Sequence, residues 1–160
     1  MKARIDLMRS NAKLLQPILA IHSLIEAGGL EEKLLHLVQM RASQINGCAY
    51  CLDMHSKDAR AAGETEQRLY SLEAWRETPF YSDRERAALE WTEAVTLVSA
   101  THVPDFAYEL VRTHFSEEEI KTLTVAAAMT NMMNRLNVAL RTVPGDYRSG
   151  MLRELKQARA

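Results

Sequence analysis

Thiols, helix breakers and unbalanced charge are all scarce in this chain of 160 residues. Two cysteines exclude a small scaffold stapled by several bridges. Four prolines and six glycines leave few obligatory turns, which argues against many short strands. Twenty basic and twenty-one acidic residues give a formal net charge of -1 without a basic block. Nucleic acid and anionic membrane surfaces are therefore not expected partners. The longest uncharged run of the C-terminal half, Thr122 to Asn134, is too short to cross a bilayer and carries Thr and Asn. Lys2 and Arg4 precede a mixed polar segment rather than an apolar one, so no secretory leader is expected. These absences lead to the expectation of a soluble, cytoplasmic protein.

What is present is helical periodicity, with no segment alternating as a strand. The expected fold is all-α: a single-domain helical bundle over residues 1–160, long enough to bury a real core. It divides into an N-terminal helical segment (1–29), a core carrying the cysteines (30–141) and a C-terminal helix or arm (142–160). Helices are predicted from Ser10 to Ala27, with Pro17 as a point for a kink, from Leu30 to Ile45, and from Cys48 to Gly63. Others are predicted from Thr65 to Ala74, Ser82 to Ala100, Pro104 to His114 and Ser116 to Leu140. Gly28-Gly29, Asn46-Gly47 and Gly63 supply stops. Ser82 with Glu85, and Ser116 with Glu119, have the spacing of capping boxes. The last long helix is uncharged between Lys121 and Arg135 and apolar round most of its circumference, so burial at the centre or between subunits is expected. After Pro144-Gly145 a charged segment is expected to form a surface helix or an arm on a neighbouring subunit.

Both cysteines lie in NGCAYCLDMH, residues 46 to 55. Asn46-Gly47 sets Cys48 at or near a helix N-terminus, where free N–H groups and the helix dipole favour a thiolate. Cys48, Cys51 and His55 are separated by three and then four residues, so one helical face would carry all three. His55 could then take the proton of Cys51, and a second thiol in reach could resolve a sulfenic acid to a disulfide. Ala59 and Ala62 continue the stripe, which turns it inward; burial alone would push a thiol up and oppose ionisation. The same residues admit two other readings. Two buried cysteines and a satisfied core histidine would be packing alone. A zinc site would need His36 as a fourth ligand beside Cys48, Cys51 and His55, although two ligands one turn apart on a helix are unlike a zinc knuckle and no second CxxC exists.

The runs LVQMRASQINGCAYCLDMHSKDARAAGETEQRL and AWRETPFYSDRERAALEWTEAVTL closely resemble the alkylhydroperoxidase D-like proteins of the carboxymuconolactone decarboxylase superfamily. The resemblance spans about Leu34 to Leu140. It implies an all-helical domain that assembles into homo-oligomers, often trimers or hexamers. It also implies a thiol-dependent antioxidant enzyme: Cys51 attacks a hydroperoxide, Cys48 resolves the sulfenic acid, and His55 relays the proton. A thioredoxin-like or lipoyl protein would reduce the disulfide, and no cofactor is implied. Two positions depart from the family pattern. His36 stands where the relay glutamate is expected, and Tyr50 where the best-studied members have histidine. A neutral imidazole can act as a base but brings no negative charge, and Glu31 or Glu32 lies about one turn earlier. Weak peroxidase activity, a disulfide reductase or redox adaptor, and a metal-binding or structural oligomer using His36, Cys48, Cys51 and His55 are the alternatives. Asn131, Asn134 and Arg135 are expected to be structural links, and Met129, Met132 and Met133 to fill gaps. Trp75 and Trp91 are expected to be packing anchors, with Trp75 near a pocket mouth. His22, His102 and His114 are given no role.

Overall fold

The computed structural model describes residues 2–7 and 12–157, and every regular element among them is helical. The helices are α1 (Ala12–Glu26), α2 (Glu32–Ile45), α3 (Ala49–Ala61), α4 (Glu66–Ser71) and a 3₁₀ segment (Leu72–Glu77). They continue as α5 (Asp83–Thr96), α6 (Val98–Thr101), α7 (Asp105–Arg112), α8 (Glu117–Leu140) and α9 (Met151–Gln157). Ser10, part of the first expected helix, lies outside the described residues; from Ala12 the helix is continuous through Pro17.

Local chemistry explains most boundaries. Both capping boxes form: Ser82 and Ser116 each accept from the N3 backbone N–H, while Glu85 and Glu119 reach back to the cap. Asn46 closes α2, and Gly47 follows at φ +63°, a left-handed turn that any side chain would strain. Three expected boundaries are corrected. The helix predicted to reach Ala100 stops at Thr96, because Leu97 leaves helical geometry and the Thr101 hydroxyl takes up the carbonyls of Ala94 and Leu97. The helix predicted over Thr65–Ala74 divides at Leu72 into the 3₁₀ segment, where non-helical Ala74 turns Leu72 and Trp75 inward. Pro104 is extended and caps α7, which begins at Asp105.

Helix α2 runs through the middle, packed against α3, α5 and α8. Its Leu34 and Val38 enter one apolar cluster with Ile25, Trp91, Val111 and Leu123. Its Leu37 and Met40 enter a second with Ala59, Leu69, Leu72, Trp75 and Leu89. Each such leucine contributes about 1.5–3 kcal/mol relative to exposure. Trp75 therefore anchors the second cluster, away from the cavity described below, and its indole N–H donates to Glu93 (2.8 Å). Arg41 (2.7 Å) and Arg76 (2.8 Å) bind the same carboxylate, joining α2, the 3₁₀ segment and α5. Burial opposes ionisation of Glu93, yet these three donors hold its carboxyl below the ordinary value.

Candidate functional site

The α2–α3 turn is held from three sides. The Cys48 N–H donates to Ser43 O (3.1 Å), and Asn46 Nδ2 lies 2.9 Å from both Asn131 Oδ1 and Asn134 Oδ1 on α8. Asn134 Nδ2 donates to Ser43 Oγ (3.0 Å), Asn131 Nδ2 to Thr96 Oγ1 (3.0 Å), and Arg135 to Asn131 O and Oδ1. Asn131 and Asn134 are thus links between elements, whereas the bonds of Arg135 stay within α8. With the turn fixed, Cys48 is the N-cap of α3 rather than a residue within it, and its Sγ accepts the Cys51 N–H at 3.3 Å. The two sulfurs are bonded to each other, with their Cα atoms 5.3 Å apart. Each cysteine is 1% exposed.

Cys51 and His55 share one face of α3, and His55 is 7% exposed. Burial pushes the His55 imidazole down to about 3, helped by nearby His36 and His22. It is therefore neutral near pH 7. His55, His36 and His22 line one cavity of about 650 Å³, together with Gln39 and Asp58. The two ring nitrogens of His36 are buried without a hydrogen bond, and Nε2 is 3.8 Å from Glu32 Oε1. Of the two candidate carboxylates, Glu31 is engaged by Arg84 at 3.0 Å, and Glu32 is the one beside His36. Neither buried cysteine lines the cavity, whereas His55 does.

The segment after Pro144, expected as a surface helix or an arm on a neighbouring subunit, forms the partly exposed helix α9 and packs on its own α1 and α3. Lys57 donates to Gly145 O (3.1 Å) and Tyr147 O (2.9 Å), and the Gly145 N–H donates to Asp53 (3.0 Å). The Tyr147 hydroxyl donates to Asp58 (2.7 Å), and Lys156 binds Glu26 (2.5 Å) and His22 (2.8 Å). Tyr147 and Arg153 consequently form part of the cavity wall. Burial and Asp58 raise the Tyr147 phenol, while burial and then Lys156 lower His22 against the pull of Glu26. His22, given no role from sequence, is part of the site because a distant segment comes back to it.

Asn137 is the other residue that sequence reasoning missed. Its Nδ2 donates to Cys51 Sγ at 3.5 Å. A signal existed in the three-residue spacing of Asn131, Asn134 and Asn137 along a helix whose other residues from Val125 onward are mostly apolar. The four-ligand metal reading is not assembled. Among the described residues no group of three or more His, Cys, Asp or Glu side chains is placed to hold a metal ion, and both sulfurs are committed to each other.

Residues 12–94 match the carboxymuconolactone decarboxylase family. The chain belongs to that family. The uncharacterized protein YdfG of Bacillus subtilis is 49% identical over 104 residues, covering 65% of this chain and 71% of YdfG. A crystal structure from Agrobacterium tumefaciens, of a protein of unknown function provisionally assigned to AhpD-type antioxidant defence, superposes with a TM-score of 0.87. It is 40% identical and covers 91% of this chain and 100% of its own. An uncharacterized peroxidase-related protein from Silicibacter sp. TM1040 has a TM-score of 0.75 at 25% identity, over 85% of this chain and 72% of its own. The fold of this family member is alkylhydroperoxidase D-like and all-helical, as the sequence resemblance implied. Among the described residues no helix is long and apolar enough to cross a membrane.

Proposed function

We propose that the protein is a thiol-dependent antioxidant enzyme of the cytoplasm that reduces hydroperoxides through Cys48 and Cys51. The observation that carries this is the bonded sulfur pair at the start of α3 with His55 one turn beyond Cys51 and facing a cavity. The Cys51 thiolate attacks the terminal peroxide oxygen; an S–O bond forms, the O–O bond breaks, and the alcohol leaves with a proton. The Cys48 thiol then attacks the sulfenic acid, releasing water and forming the disulfide present here. A thioredoxin-like or lipoyl dithiol returns both cysteines to thiols. His55 relays the Cys51 proton without holding it, one ring nitrogen taking it as the other releases its own, and His36, which lines the same cavity without a hydrogen bond, is the next acceptor.

Stopped-flow oxidation of the reduced protein by an organic hydroperoxide tests this. Cys51→Ser should abolish the reaction and Cys48→Ser should still allow one turnover. A wild-type rate no faster than that of free cysteine would sink the peroxidase role. One observation favours disulfide exchange instead: Cys48 is the N-cap and its sulfur already accepts a backbone N–H, which suits it to attack a substrate disulfide. In that case the reduced protein cleaves a model disulfide rapidly while reacting with peroxide no faster than cysteine does.

A further inference from the structure

The two sulfurs of the pair are served by different donors. Cys48 Sγ receives the backbone N–H of Cys51 at 3.3 Å, as an N-cap side chain does. Cys51, the third residue of α3, receives the side-chain amide of Asn137 from α8, a helix remote in sequence. His55 makes no hydrogen bond to that sulfur. Asn137 is 5% exposed, and its orientation is fixed: Nδ2 also donates to Met133 O at 3.0 Å, an acceptor that Oδ1 could not satisfy. The two N–H groups of one amide thus serve one carbonyl and one sulfur. A disulfide sulfur is a weak acceptor and a thiolate a strong one, so this bond strengthens when Cys51 is reduced and ionised.

We propose that Asn137 is a catalytic residue whose side-chain N–H stabilises the Cys51 thiolate. This rests on Cys51 being the attacking sulfur. Ionisation of Cys51 releases its proton to water, and the negative charge left on the buried sulfur meets the Asn137 donor. Ionisable groups gather on the His55 side of α3: His22 and Glu26 from α1, Glu32 and His36 from α2, Asp58 on α3, and Tyr147, Arg153 and Lys156 from the C-terminal segment. None of them hydrogen-bonds the sulfur. From α8 the group that does is the neutral Asn137 amide.

The test is the pH dependence of iodoacetamide alkylation in two single-thiol proteins. In Cys48→Ser, adding Asn137→Ala should raise the midpoint for Cys51 by about one pH unit, the effect expected for losing a hydrogen bond to a charged group. In Cys51→Ser, the same change should leave the Cys48 midpoint where it was. An unmoved Cys51 midpoint overturns the proposal, and so does an equal shift of both thiols, which would mean general loosening. Should Asn137→Ala not fold, Asn137→Asp keeps the shape while replacing the donor with a carboxylate; the Cys51 midpoint should rise at least as far, and no rise overturns the proposal. Iodoacetamide requires no peroxide, so failure of the hydroperoxide assay would remove the peroxidase role without touching this result.

Discussion

At the scale of single residues, His55 carries the sharpest consequence of burial. Its imidazole sits at about 3, against an ordinary 6.5, chiefly through desolvation. The unfolded chain therefore binds a proton below about pH 6.5 that the folded chain refuses until about pH 3. Stability contributed by neutral burial is full above 6.5 and declines as pH falls through that window. The ring signals of His55 should show no titration between pH 7.5 and about 4 by NMR. Denaturant melts of His55→Gln should fall off less steeply than wild type below about pH 6.5; an identical acid slope would contradict the buried neutral form. Asn137 belongs to the same scale, and its significance was hidden in sequence for a simple reason. An asparagine on an apolar helix needs a partner, but nothing local says whether that partner is a carbonyl, another amide or a sulfur.

At the scale of elements, ties made by few side chains set the geometry. The carboxylate of Glu93, 13% exposed, holds α2, the 3₁₀ segment and α5 through Arg41, Arg76 and Trp75. Its carboxyl is held below the usual range, so the contribution is present above the unfolded value near 4.5 and is lost as pH falls through the lower folded value. Glu93→Ala leaves cations and an indole N–H without their partner and should cost about 3 kcal/mol in urea unfolding at neutral pH. The C-terminal segment is a second case. Asp53, Lys57 and Asp58 on α3 hold residues 145 to 147, and Lys156 holds α9 to α1. Tyr147→Phe removes the bond to Asp58, so amides of residues 146–157 should exchange with deuterium faster while α2 and α5 keep their protection. Uniform exchange across the protein would show that the segment is not a separate unit. Capping boxes and Gly47 made most helix starts and stops legible beforehand, because those signals act within four residues. The break at Leu97 and the 3₁₀ turn at Leu72 were not legible, since hydroxyl-to-carbonyl bonds and core demand decided them.

At the scale of the whole molecule, several large apolar side chains remain exposed, among them Leu24, Phe106, Val125 and Met132. Val125 and Met132 are seven residues apart and share a face of α8. That helix is expected to be buried at the centre or between subunits, and one side of it is open in the single chain. Trimers or hexamers, as the resemblance implies, would cover such faces. Light scattering should then give a trimeric or hexameric mass, reduced by Val125→Lys with helical circular dichroism unchanged; a wild-type monomer at all concentrations would exclude this. By itself the sequence determined the helical class, the turn that presents the cysteines and the shared face of Cys51 and His55, because these depend on spacing and neighbours. Only the tertiary structure decided which donors meet each sulfur, that His22 and the C-terminal segment reach the same cavity, and how far His55 is desolvated. Those outcomes depend on packing between segments far apart in the chain, where hydrogen-bond partners and exclusion of water are set by geometry that local pattern does not encode.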